Sequence, residues 1–196
     1  MVRDALRLEP GERLLDVGCG TGWFTRRAET VTSRVVGLDI DAAALEFARR
    51  RSVHPGHYLR GDATALPFPD ASFDKVMSIA ALCFVADWPR AIAEIVRVTR
   101  QRFAIGLLNR HSLLYLRKGR HGGAGAYAGA HWHTRGEAIA ALRGLPVARS
   151  VVSTGVFIDS ASAIARAVER VMPPSLGLGS FLLLSGEPAP LTDSAR

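Results

Sequence analysis

The sequence is short of thiols, lysine and long apolar runs, and each shortage closes a class of function. Only two cysteines occur, Cys19 and Cys83, each inside an apolar stretch. With no Cys-x-x-Cys spacing and no histidine pair nearby, they offer neither a disulfide framework nor a zinc site. They read as two small buried hydrophobes. The longest nearly apolar run, Val76 to Ala86, spans eleven residues and is interrupted by Ser78. It is too short to cross a bilayer and lies too deep in the chain for an export signal. Met1 to Pro10 alternates charges with leucines and has no apolar export core, so the expected location is cytoplasmic. Lysine is nearly absent: 23 of the 25 basic residues are arginine, and the net charge is +7. Charge of this size favours solubility and loose attraction to anions without defining a partner. Aromatic residues do not interleave with the basic ones as a nucleic-acid stacking platform requires, so nucleic acid is not the expected partner.

What is present is a regular alternation. Strand-length apolar bursts and helix-length amphipathic segments succeed each other through the first 110 residues. Strands are expected over Arg13 to Val17, Arg34 to Asp39, Tyr58 to Gly61, Phe73 to Ile79 and Phe103 to Leu108. Helices are expected over Thr21 to Val31, from the cap Asp41 to Arg51, and from the cap Asp87 through Val98. Arg49-Arg50-Arg51 closes the second of these, where cations complement the helix dipole. Such alternation implies parallel pairing with right-handed crossovers, an α/β sheet covered on both faces.

After residue 108 the pattern changes. Residues 109–133 are rich in glycine, arginine, histidine and tyrosine without clear periodicity, and read as a substrate loop or lid that includes Arg117-Lys118-Gly119-Arg120. A helix from the cap Thr134 to Leu142, a strand over Val147 to Val152, a helix over Ser160 to Val171 and a strand over Phe181 to Leu184 follow. Pro173-Pro174 reads as a turn, and residues 188–196 as a disordered tail. With no repeat or linker, residues 1–196 read as one domain.

The densest signal is Leu14-Leu15-Asp16-Val17-Gly18-Cys19-Gly20-Thr21-Gly22. An apolar strand runs into a turn with three glycines in five positions, and a helix follows. Glycine there allows otherwise costly dihedrals and a close ligand approach, while free amides at the helix N-terminus face the ligand. A dinucleotide fingerprint needs its third glycine one place later, where Trp23 stands. Asp16 at the end of the strand would repel a diphosphate but suits a ligand carrying an ammonium group. Asp39 ends the second strand, 17 residues after Gly22, where a carboxylate can accept from both hydroxyls of a ribose. Asp62 follows the third strand, and its carboxylate together with the Ala63 amide suits an adenine edge. S-adenosylmethionine carries all three groups.

Here the sequence resembles a known family. Leu14 to Phe24, Val36 to Asp41, Gly61 to Asp74 and Val76 to Ala86 look like the successive motifs of class I S-adenosylmethionine-dependent methyltransferases. The branch most similar is methyltransferase type 11, which contains ubiquinone and menaquinone biosynthesis enzymes. The phrase from Gly61 to Asp74, with Leu66-Pro67-Phe68-Pro69-Asp70 at its centre, is characteristic of it. The resemblance covers residue 14 to about 108. It implies a Rossmann-like, mostly parallel seven-stranded sheet whose last strand is antiparallel. It also implies S-adenosylmethionine as methyl donor and S-adenosylhomocysteine as product. By this likeness Asp16, Gly18, Gly20 and Gly22, with Cys19 in the same turn, surround the methionine moiety. Asp39 and Ile40 hold the ribose, Asp62 and Ala63 the adenine, and Ile79 and Ala80 line the methionine end.

Two departures shape the expectations. Only about a dozen residues precede the first strand, where the family usually has one or two covering helices, so the expectation is either a short N-terminal lid or a homo-oligomer or other partner that completes the pocket. The histidines common after strand four are replaced by Ala80-Ala81-Leu82-Cys83-Phe84. The dense source of candidate bases is then the loop, with His111, Tyr115, His121, Tyr127, His131 and His133, of which His111, Tyr115, His131 and His133 are singled out. His131 and His133 flank Trp132 with no Cys or Asp nearby, which is not a metal-ligand spacing, and no metal is expected. The expected activity is methyl transfer to a small molecule. An inactive S-adenosylmethionine-binding module and, from the charge alone, an RNA methyltransferase are the alternatives.

Overall fold

The structure is a computed structural model that describes residues 1–54, 57–155 and 178–190. The helix expected over Ser160 to Val171, the Pro173-Pro174 turn and the tail from residue 191 lie outside the described residues.

Five α-helices and seven strands frame the fold of the described residues. In chain order they are α1 (Val2–Leu6), β1 (Leu14–Val17), α2 (Trp23–Glu29), β2 (Val35–Asp39), α3 (Ala42–Arg51) and β3 (Tyr58–Arg60), followed by β4 (Phe73–Ile79), α4 (Trp88–Val98), β5 (Thr99–Leu108), α5 (Arg135–Ala140), β6 (Val147–Gly155) and β7 (Phe181–Pro188). The seven strands form one sheet in the order β3-β2-β1-β4-β5-β7-β6. β1 to β5 pair in parallel. β7 runs antiparallel to both β5 and β6. The expected α/β sheet with an antiparallel last strand is what the chain forms.

Side-chain alternation along the strands builds two layers of core. Leu14, Met77, Ala104 and Leu183 point to one face and pack with Leu6 of α1 and Ala28 of α2. Their neighbours Leu15, Val17, Val76, Phe103, Ile105, Leu182 and Leu184 point to the other and pack with Ile92, Ile95 and Val96 of α4. Helices therefore cover both faces. The expected caps are observed: Asp41 accepts from the Ala43 and Ala44 amides, Asp87 from the Arg90 amide, and Thr134 with Glu137 closes a capping box.

Three expectations are corrected. Helix α1 was not foreseen; its five residues bury Leu6 on the sheet. β5, β6 and β7 run past the predicted ends, and β7 reaches Pro188, into the segment read as tail. Residues 109–133 are not a plain loop. Residues 113–119 are helical, with a π turn over Tyr115–Gly119, and short 3-10 turns follow. Trp132 anchors the segment, with Tyr115 and Tyr127 at ring-centroid distances of 5.4 and 5.6 Å.

Candidate functional site

In this strand order the chain leaves β1 toward β2 and β3, then returns to the other side of β1 for β4. Crossovers that diverge in this way open a crevice outside the carboxyl ends of the strands. A cavity of about 760 Å³ occupies that crevice, inside the usual ligand-pocket range of roughly 300–1,000 Å³. Each strand end contributes: Gly18 and Gly20 after β1, Asp39 and Ile40 at β2, Asp62 and Ala63 after β3, Ile79 and Ala80 at β4. Eight of the eleven cofactor residues read from the sequence thus line one cavity.

The other three stand behind it. Gly22 N-caps α2 at φ 76°, and a Cβ there would meet the Tyr58 hydroxyl, Arg26 and Ala48. Cys19 is buried with Leu45, Ala48 and Tyr58, and burial pushes its thiol pKa up. Asp16 shares the alternation of Leu14 and so turns toward α2, where its carboxylate accepts from the Thr25 hydroxyl at 2.6 Å. It is 2% exposed, and burial pushes its pKa up to about 7, with the nearby Asp39 carboxylate adding to the rise.

The glycines serve two different purposes. Gly18 has φ 72°, and a Cβ there would stand 2.1 Å from the Ala81 Cβ, so it permits the turns after β1 and β4 to touch. Gly20 has φ 52°, and a Cβ there would meet no protein atom. Its missing side chain opens space for a ligand rather than for the protein. The Gly20 amide donates to Asp39 Oδ2 at 2.6 Å, and the Asp41 amide donates to Oδ1 at 2.9 Å. Both oxygens are fixed by backbone, and each keeps capacity to accept another hydrogen bond. Asp62 Oδ1 is held by the amide and hydroxyl of Thr64, which keep its pKa low. Ile40 and Phe84 expose 63% and 54% of their surface beside these carboxylates, an apolar wall suited to a flat ring.

Sequence reasoning missed most of the wall after β4. Ala80 sits at φ 59°, a conformation a non-glycine residue rarely adopts, and its amide donates to Gly106 O. A 3-10 turn over Leu82–Phe84 follows, held to the end of β5 by the Leu108 amide on Cys83 Sγ at 3.2 Å. Burial raises the Cys83 pKa to about 11, so this thiol is a packing and accepting group. The run Ala80 to Asp87 carried no charged cluster or glycine turn, and no sequence signal marked Phe84, Val85 or Ala86 as wall.

None of the four candidate bases lines the cavity. His111 is exposed, and Tyr115 lies half-buried with its ring edge toward Trp132. His131 stacks on Trp88 at 6.1 Å, and its amide donates to Cys83 O, so the segment before α5 is pinned to the turn after β4. His133 is fully buried, edge-on to Trp88 at 4.5 Å, with no hydrogen-bond partner on either ring nitrogen. Burial, reinforced by the charge of His131, lowers its pKa to about 4. Among the described residues no group of three or more His, Cys, Asp or Glu could hold a metal ion, and no helix is long and apolar enough to cross a membrane.

Residues 15–103 match the family described as a methyltransferase domain. Malonyl-[acyl-carrier protein] O-methyltransferase of Serratia marcescens is 45% identical over 91 residues, which are 46% of this chain and 35% of that one. Demethylmenaquinone methyltransferase of Renibacterium salmoninarum is 40% identical over 100 residues, 51% of this chain and 42% of that one. The chain spans well under half the length of these curated relatives. Among solved structures, an S-adenosylmethionine-dependent methyltransferase from Mesorhizobium loti matches with TM-score 0.68 and 25% identity over 95% of both chains. A Thermotoga maritima methyltransferase matches with TM-score 0.73 and 24% identity, covering 93% of this chain and 84% of that one, a likeness of fold. The matched residues contain the glycine turn and the acids at the ends of β2 and β3. Through them residues 15–103 are similar to the methyltransferase-domain family.

Proposed function

We propose that the chain transfers the methyl group of S-adenosylmethionine to a small-molecule acceptor and releases S-adenosylhomocysteine. One observation carries this reading: Gly20, Asp39, Asp62 and Ala80, from four strand ends, meet at one cavity in the crevice of the sheet. When bound, S-adenosylmethionine supplies an activated sulfonium methyl group for in-line displacement.

The protein's part is to bind, orient and exclude water. Asp39, already aimed by two amides, accepts from ribose hydroxyls. Asp62 and the Ala63 amide take the adenine edge, and Ile40 packs on the ring. Gly18 and Gly20 let the amino-acid end lie against the backbone, with the Asp16 charge behind it. Ile79 and Ala80 face the methionine end and leave the acceptor to approach along Phe84 to Asp87.

A side chain with a pKa near 4 is a weak base at neutral pH. His133, buried and neutral, is therefore not the proton acceptor, and like His111 and Tyr115 it does not line the cavity. The acceptor that suits this site is already nucleophilic at neutral pH, as an ionised carboxylate or thiolate is. The relatives' unlike acceptors, a malonyl-carrier and a demethylmenaquinone, agree with a matched half that handles only the donor.

The test is incubation of the full chain with methyl-labelled S-adenosylmethionine and a small-metabolite extract. The expected result is release of S-adenosylhomocysteine with label in a low-mass compound. Donor binding without any transfer would remove the catalytic half of the proposal, and absence of donor binding would remove all of it.

A further inference from the structure

Between Glu94 and Glu137 the chain carries no acidic residue. Within that stretch, the helical residues 113–119 present two unlike faces. The inner face holds buried Leu114 and Gly119; a Cβ on Gly119 would collide with Tyr115 and Trp132. The outer face holds Leu113 and Leu116, 64% and 49% exposed, with Arg117 at the next helical step. Arg110, Lys118 and Arg120 flank them, all exposed. Among the described residues no carboxylate pairs with any of these four cations. By contrast, Arg50 pairs with Glu46 and Arg51 lies over Phe47.

Composition and direction decide what this face fits. A single-strand stacking platform turns aromatic rings outward, but Tyr115, Tyr127 and Trp132 pack on one another. Protein hot spots favour Trp, Tyr and Arg and under-use Leu. Exposed leucines ringed by unpaired cations are what an interfacial segment uses, the apolar groups entering the acyl boundary while the cations meet lipid phosphates.

We propose that Arg110, Leu113, Leu116, Arg117, Lys118 and Arg120 form a docking surface for an anionic phospholipid bilayer. The segment leaves the sheet directly after β5, at the same carboxyl edge as the cavity. Docking there presents the crevice to an acceptor carried in the bilayer; that last step rests on the proposed methyl transfer, whereas docking itself does not.

Sedimentation of the full chain with vesicles tests it, comparing phosphatidylcholine alone with phosphatidylcholine containing one-third phosphatidylglycerol. Binding is expected only to the anionic vesicles and should weaken as salt rises. The triple variant Arg117→Glu, Lys118→Glu, Arg120→Glu should lose at least about tenfold in partitioning, since each cation is worth roughly fivefold. Leu113→Ser with Leu116→Ser should also weaken it. Each variant should keep the wild-type melting temperature and S-adenosylhomocysteine affinity. As a control for net charge, Arg50→Glu with Arg51→Glu should leave vesicle binding unchanged. Equal binding to both vesicle types, an equal loss in the control, or retention by poly-L-glutamate or poly(U) without vesicle binding would overturn the proposal. A chain that binds vesicles but not S-adenosylhomocysteine would sustain the docking surface while removing the methyl-transfer reading.

Discussion

At the scale of single residues, two glycines in one turn make opposite predictions. Gly18→Ala places a Cβ on Ala81 at φ 72°, so both packing and backbone resist it. A loss on the order of 2–4 kcal/mol in urea unfolding is expected. Gly20→Ala adds only the left-handed backbone penalty, about 1–2 kcal/mol, yet its methyl group enters the cavity. Its melting temperature should fall modestly while S-adenosylhomocysteine affinity falls at least about tenfold; intact affinity would mean that no ligand approaches this backbone. Asp39→Ala should weaken the same affinity by roughly ten- to a hundredfold, as expected for losing hydrogen bonds to a charged acceptor. The acids and glycines were legible in the sequence because strand ends and turns impose local residue types. Asp16 was legible only as an acid at a strand end. Its turn toward Thr25 follows from the alternation set by Leu14 and Leu15, and the cavity boundary depends on packing that no local pattern shows.

At the scale of elements, the well-read segments were those whose period and caps agree, such as α4 with its Asp87 cap and β4 with its continuous burial. Helix α1 escaped because five residues are too few for a periodic signal, and such a helix holds only through tertiary packing. Leu6, 3% exposed against Leu14 and Met77, supplies that packing. Leu6→Ala should cost about 2–4 kcal/mol in denaturant unfolding; a cost below 1 kcal/mol would show that α1 adds nothing to the core. Residues 109–133 looked structureless because π and 3-10 turns do not repeat every 3.6 residues. Arg97 shows how one element positions another. From α4 it reaches Glu94, Asp70 and the carbonyls of Leu66 and Phe68, fixing the loop that descends from Asp62 and Ala63.

At the scale of the whole molecule, two buried groups give stability opposing pH slopes. The Asp16 pKa is raised above its unfolded value of 3.8 to about 7. The folded state binds that proton more tightly, so this contribution declines as pH rises between those values and is absent above them. The His133 pKa is lowered from 6.5 to about 4, so its contribution is present at higher pH and is lost as pH falls through that window. Asp16→Asn isolates the first effect. Its stability relative to wild type should be higher at pH 8 than at pH 4, by on the order of 2–4 kcal/mol. An equal difference at both pH values would show that the carboxyl ionises as freely as in the unfolded chain. A buried carboxylate without a cationic partner above pH 7 also suits a ligand bearing an ammonium group.

The central claim is that the crevice beside Gly20 and Asp39 holds an adenosyl amino acid. Calorimetric titration of S-adenosylhomocysteine into the full chain, with Gly20→Ala and Asp39→Ala alongside, addresses it most directly. One-to-one binding that both substitutions weaken, in variants that remain folded, is the predicted result. No binding by the wild type, or affinity indifferent to both changes, would contradict the account.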